Sequence, residues 1–306
     1  MLLSAAFRAK ARAALQNHWQ TALLIALIVN LPSLLVQGIA AFTNNDLNGR
    51  LSELAYRASL SAEAMSAFQD SVRELLSDSG IWTVAALGFL AWLVTPALSL
   101  GMNHWTLERL RGVDLPVSAV FSRLRIFLKG IGLRLFVSLK VLIWTLPGVA
   151  LSLLSLIPLF RADPAVSESL ISAVSMSMNG MYAGMILALV LGIMCFLYYA
   201  VADFILADEP EERILSAARR SKDMMKGRRG ALMSLLLSFV LWHLLIVLVS
   251  SFIAGITGTV IALMLQMLGS LFLSAYMLAA QGAFFEALRQ APVQEITFSS
   301  PGGLSE

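Results

Sequence analysis

Two ionisable residues stand inside long apolar runs, Asp203 and Lys140. In hydrocarbon such groups serve ion paths and proton relays, or pair with one another to lock helices together. Both lie within about two turns of one end of their run, which also fits simple anchoring. Lys140 can reach back to the headgroups, and Asp203 can meet Arg213 or the start of the following helix. The deeper polar residues are few: Asn30, Gln37, Ser99, Asn103, Gln266 and Gln281. Asn103 and Gln266 are the candidates to line a narrow path; the alternative is that they tie helices together by hydrogen bonds. Leu146-Pro147-Gly148 falls near the middle of an apolar run and is the candidate helix break, the kind of interruption around which membrane sites are built.

Other chemistry is missing from the pattern. Cys195 is the only cysteine, so neither an intrachain disulfide nor a cysteine metal cage can form. His18, His104 and His243 share no ligand spacing, and each adjoins a tryptophan (Trp19, Trp105, Trp242), which suggests an interfacial belt. There is no phosphate-binding glycine loop, nucleophile elbow or His-Glu-x-x-His helix. Enzymatic activity is not expected, and no metal or cofactor is implied.

The stretch richest in charge runs from residue 203 to 242. Asp208 with Glu211 resembles a capping box, Pro210 fits a first helical turn, and Gly227 fits a left-handed stop. Ile214, Ala218, Ser221 and Met225 share one face of the helix between them. Arg219, Arg220, Lys222 and Lys226 surround that face, and Arg228 and Arg229 follow the stop. A basic helix between two apolar runs is built to lie along an anionic membrane surface, so these six cations are the candidate lipid-binding residues. A protein partner or a second copy of the chain is left open.

These side chains must be positioned by membrane helices. The chain has 306 residues, 58% hydrophobic and only 13% charged, against about 25% charged in a soluble domain. The basic residues fall in short clusters beside apolar runs, which argues against nucleic acid. Six runs reach the roughly 20 residues that a bilayer needs: about 19–42, 81–103, 135–160, 179–206, 231–254 and 257–285. The first is expected to be an uncleaved span.

Seventeen of the 22 Lys and Arg lie on the side of the N-terminus and four on the other, with Lys140 inside a span. The positive-inside rule then predicts that both termini are cytoplasmic. The expected fold is all-α and polytopic, a single transmembrane domain over 1–292 with a tail at 293–306. Short basic helices precede spans 1, 3 and 5 (4–16, 115–129 and 208–227), ending at Asn17, Gly130 and Gly227. This suggests a threefold hairpin repeat, although any cytoplasmic loop tends to be basic. Residues 43–80 form an external helical excursion, either a lid or a solvated extension. Small residues at every fourth position, Gly180, Gly184, Ala188 and Gly192, suit close helix packing within the bundle or between copies.

Leu15-Gln16-Asn17-His18-Trp19, Ile205-Leu206-Ala207-Asp208-Glu209-Pro210, Ser221 to Gly227, Leu237 to Trp242 and Phe284-Phe285 together resemble a bacterial integral-membrane family, domain of unknown function 975. The resemblance covers most of the chain and implies a multi-span inner-membrane protein. It brings no activity with it. From the residues themselves we expect a non-catalytic membrane protein whose basic helices grip anionic lipid. The alternative is a transporter or lipid-handling protein with a cavity between hairpins, near Pro147, Asn103 and Gln266.

Overall fold

The computed structural model describes residues 2–44, 79–158 and 167–290. The excursion at 43–80 (all but its ends), the first part of the outer link (161–166) and the tail at 293–306 lie outside them. Among the described residues every element is helical: α1 (Leu2–Leu15), α2 (Trp19–Asn44), α3 (Ser79–Leu110), a 3-10 helix (Val117–Ile126), α4 (Phe127–Leu154), α5 (Ser167–Tyr199), α6 (Ala202–Asp208), α7 (Ile214–Met224), α8 (Arg229–Thr257) and α9 (Thr259–Gln290).

Five segments are long and apolar enough to cross a membrane: Trp19–Val36, Trp82–Leu110, Ser172–Asp208, Arg229–Ile256 and Ile261–Gln290. The expected third span, α4, is not among the five. It is a continuous helix of 28 residues that carries Lys129, Arg134 and Lys140. The main pairings run α2 on α3, α4 on α5 and α8 on α9, and α9 also packs on α1, α2 and α3. Only Gly258 separates α8 from α9, so they form the tight hairpin expected of them.

Pro32, Pro96 and Pro147 all sit inside continuous helices. Side chains nearby bond back to their own helix: Asn30 Nδ2 donates to the Ala26 carbonyl at 2.8 Å, Thr95 Oγ1 to Ala91 at 2.6 Å and Ser99 Oγ to Pro96 at 2.9 Å. Such bonds let a membrane helix absorb a proline without breaking. The break expected at Pro147-Gly148 is therefore continuous helix. Gly148 serves close approach instead: a Cβ there would meet the Gly184 carbonyl at 2.6 Å. A Cβ on Gly180 would collide with Ser155, so the small-residue stripe of α5 packs inside the α4–α5 hairpin.

Two of the three expected helix stops are left-handed, Asn17 at φ 69° and Gly227 at φ 73°. Gly130 is not a stop. The chain passes from the 3-10 helix into α4 at Phe127, and Gly130 lies inside α4 with Leu100 Cδ1 2.8 Å from where its Cβ would be. Its smallness is used for packing, not for turning.

Candidate functional site

The charged helix is shorter than its pattern suggests. Its N-cap is Arg213, and Asp208 closes the preceding helix α6 instead of capping α7. On α7, Ala217, Ala218 and Ser221 are buried, as is Met225 at its C-cap, and Ile214 is half-buried, as the spacing requires. Ser221 Oγ donates to the Tyr198 carbonyl at 3.0 Å, which seats the helix on the end of α5.

Arg219, Lys222 and Lys226 are exposed, while Arg220, Arg228 and Arg229 are half-buried. Arg220 meets Glu209 at 2.7 Å, a hydrogen bond that raises its pKa. Lys226 meets Asp223 at 2.7 Å and lowers that carboxyl. Arg229 stacks 3.6 Å from the Tyr198 ring centroid, with Lys222 5.7 Å from the same ring. Four of the six candidate lipid contacts thus spend part of their capacity on the protein.

A second set of charges escapes the sequence reading. Arg111, just past α3, donates from Nη1 to Asp208 at 2.7 Å and to Glu108 at 2.9 Å, and from Nη2 to Glu286 at 2.6 Å. Arg289 Nη1 reaches the other Asp208 oxygen at 2.6 Å. Glu286 is 4% exposed. The bonds to Asp208 and then Glu286 hold Arg111 charged well beyond its ordinary range, against burial. This lock joins the ends of α3, α6 and α9. Beneath it Phe204 stacks on Phe285 at 5.8 Å.

The neighbouring contacts also tie short helices to span ends. Arg109 donates to the Ala14 carbonyl at 3.0 Å, close to the negative end of α1, and pairs with Asp114. Lys129 Nζ donates to the Pro210 carbonyl at 2.6 Å, and Tyr276 to that of Arg8 at 3.2 Å. Arg123 Nη2 lies 3.1 Å from His104 Nδ1. A guanidinium only donates, so that nitrogen accepts and the ring proton sits on Nε2.

The intramembrane candidates are not brought together. Asp203 is partly buried and interacts with Arg134 of α4, not with Arg213 or Lys140. Lys140 stands 5.6 Å from the Phe136 ring centroid, one turn back. Asn103 is 4% exposed. Arg111 and Glu286 mark one level, and from it Asn103 lies eight residues back along α3 while Gln266 lies twenty back along α9. At 1.5 Å per residue they are separated by roughly 18 Å along the bundle, so they line no common path.

The tryptophan belt also needs correction. Trp105 is buried and donates to the Leu115 carbonyl at 3.1 Å. Trp242 and His243 lie about 20 Å along α8 from its start, near its middle. Trp19 stacks on Phe272 at 4.5 Å. Packing of α9 and the 3-10 helix, invisible in the local sequence, claims two of the three rings.

A cavity does exist, but elsewhere. About 290 Å³ opens between α2, α3 and α4, lined by Ser33, Val36, Gly88, Ala91, Trp92, Thr95, Pro96 and Arg134. Neither Pro147, Asn103 nor Gln266 borders it. Among the described residues no group of three or more His, Cys, Asp or Glu is placed to hold a metal.

The profile of a family described as "Protein of unknown function (DUF975)" matches residues 1–292. The chain belongs to this family. The match takes in every described helix, so the lock and the cavity of this DUF975 protein both lie within the family region. No curated protein matches the chain, and no solved structure does.

Proposed function

We propose that this DUF975 protein is a non-catalytic, six-span protein of the bacterial inner membrane, with both termini in the cytoplasm and its basic helices seated on anionic lipid. The observation that carries the reading is α7: its apolar face is buried on the bundle while Arg219, Lys222 and Lys226 face outward beside two span ends. Cations held near an anionic surface contribute about 1 kcal/mol each. The sixth span is α4, whose hairpin with α5 is the most extensive helix pairing among the described residues. Three such hairpins, each entered through a short basic helix, make a threefold repeat the simplest architecture. A partner protein or second copy has the outward face of α7 available to it.

The test is a fluorophore on Lys222→Cys in a Cys195→Ser background, reconstituted into nanodiscs with headgroup-attached quencher. Quenching should rise with the anionic lipid fraction and fall as salt is added, because exposed charges are screened within about 10 Å at 0.1 M. Quenching indifferent to both would defeat the lipid contact.

The lipid-handling alternative is favoured by one observation, the cavity beside Arg134.

A further inference from the structure

Arg134 is out of keeping with its surroundings. It follows the fully buried Leu133 on α4, its side chain is exposed, and it lines the cavity between α2, α3 and α4. It stands seven residues after Phe127, about 10 Å along the helix from the level of the 3-10 helix. In a span whose start lies at the membrane surface, that depth is the boundary between headgroups and acyl chains. A charge left there without a partner is expensive. Asp203 acts on Arg134 from the neighbouring α6. Among the described residues, however, the guanidinium makes no hydrogen bond or ion pair, so its five donors are unspent.

The rest of the cavity is complementary. Val36, Gly88, Ala91 and Trp92 form an apolar wall, and a Cβ on Gly88 would touch only Val36 at 3.8 Å. Pro96 has no N–H, which removes the helical donor that the Trp92 carbonyl would otherwise receive. A ligand with both an anion and a hydroxyl answers both needs. At about 290 Å³ the space matches only the smallest ligand pockets, which run from about 300 to 1,000 Å³. It therefore takes part of a molecule whose remainder lies in the bilayer.

The geometry points to a lateral site for one anionic phospholipid of the phosphatidylglycerol type, its phosphate on Arg134 and the first part of an acyl chain against Ala91 and Trp92. This inference rests on the membrane placement proposed above but not on the surface cations of α7.

The experiment titrates full-length, delipidated protein in detergent with phosphatidylglycerol, phosphatidylcholine or inorganic phosphate, and counts bound lipid by native mass spectrometry. One phosphatidylglycerol per chain is expected, displaced neither by phosphatidylcholine nor by phosphate at equal concentration. Arg134→Gln should weaken it about ten- to hundredfold, as loss of a charge-assisted contact does, and Arg134→Lys should restore much of it. Gly88→Leu, which fills the apolar wall and leaves every charge in place, should also weaken it. The combined R219Q, K222Q and K226Q variant should leave it intact while abolishing the salt-sensitive surface contact, so the two proposals fail separately. Equal binding of phosphatidylcholine, displacement by phosphate alone, or a folded Gly88→Leu or Arg134→Gln protein that binds as tightly as the wild type would overturn the site. The lipid competition and Gly88→Leu decide the matter even if Arg134→Gln does not fold.

Discussion

The two ends of the helical bundle are built differently. At the end bearing α1, the 3-10 helix and α7, Leu15, Ile25, Leu107, Val120, Ile205, Met225 and Phe285 are all buried to 2% exposure or less. At the other end Leu244, Leu248, Phe252 and Ile256 of α8 and Ile261, Leu263, Met264 and Leu268 of α9 are exposed. In the membrane placement proposed above, lipid tails would solvate such side chains as well as another helix would, so no hydrophobic drive presses them together. Near water that drive returns, and short helices can close over a core. The basic end is thus where the relative positions of the spans are set, by burial, by close backbone approach and by the Arg111 lock.

That contrast predicts a graded set of mutational effects. The largest is expected for Arg111→Ala, which leaves the buried Glu286 carboxylate without its guanidinium partner; removing one partner of a buried pair is worth about 3–5 kcal/mol. Thermal unfolding in mild detergent should show it, and a melting point unchanged from wild type would remove the lock from the account. Next comes Gly101→Ala. A Cβ there runs into the Val120 carbonyl, whose carbon would be 2.6 Å away, and backbone cannot yield as a side chain can. A loss of about 1–3 kcal/mol is expected for such overpacking, with Trp105 fluorescence reporting release of the 3-10 helix.

Gly227→Ala should cost about 1 kcal/mol, because φ 73° suits glycine far better than alanine. Its readout is trypsin cleavage after Lys226, faster in the variant; equal rates would mean that the stop is not under that constraint. The smallest effect belongs to the opposite end. Gly255→Ala has nothing within 4 Å of the new Cβ, and a shift beyond about 0.5 kcal/mol would show that the far end is more tightly specified than its exposure indicates.

What the sequence could reveal follows the same division. The length of the apolar runs located the long helices, because each needs only length and apolarity. The face of α7 was legible because Ile214, Ala218, Ser221 and Met225 lie on one helical stripe. Asn17 and Gly227 were legible because a left-handed stop has local chemistry.

The misreadings are all tertiary. Asp208 with Glu211 satisfies the capping-box pattern, yet Arg111, 97 positions away, and Arg289 take its carboxylate. Gly130 follows a basic residue as a stop would, but Leu100 of α3 crowds it. Glu286 did carry one signal, a lone acid directly after Phe284-Phe285 in an otherwise apolar run. Its partner stands 175 positions away, and nothing local names it. The cavity was expected at Pro147, Asn103 and Gln266, where polar and helix-breaking residues are conspicuous. It formed at Pro96 and Arg134, where three helices fail to fill the space between them.

In the topology proposed above, the basic end faces the cytoplasm and six helices cross. The most direct measurement is labelling of intact cells with a membrane-impermeant maleimide, using single cysteines in a Cys195→Ser background at Lys226, Leu156 and Gly258. Leu156→Cys, in the turn after α4, and Gly258→Cys should label from outside, and Lys226→Cys only after the membrane is permeabilised. Outside labelling at Lys226, or protection at Leu156 while Gly258 reacts, would contradict the orientation in the first case and the sixth crossing in the second.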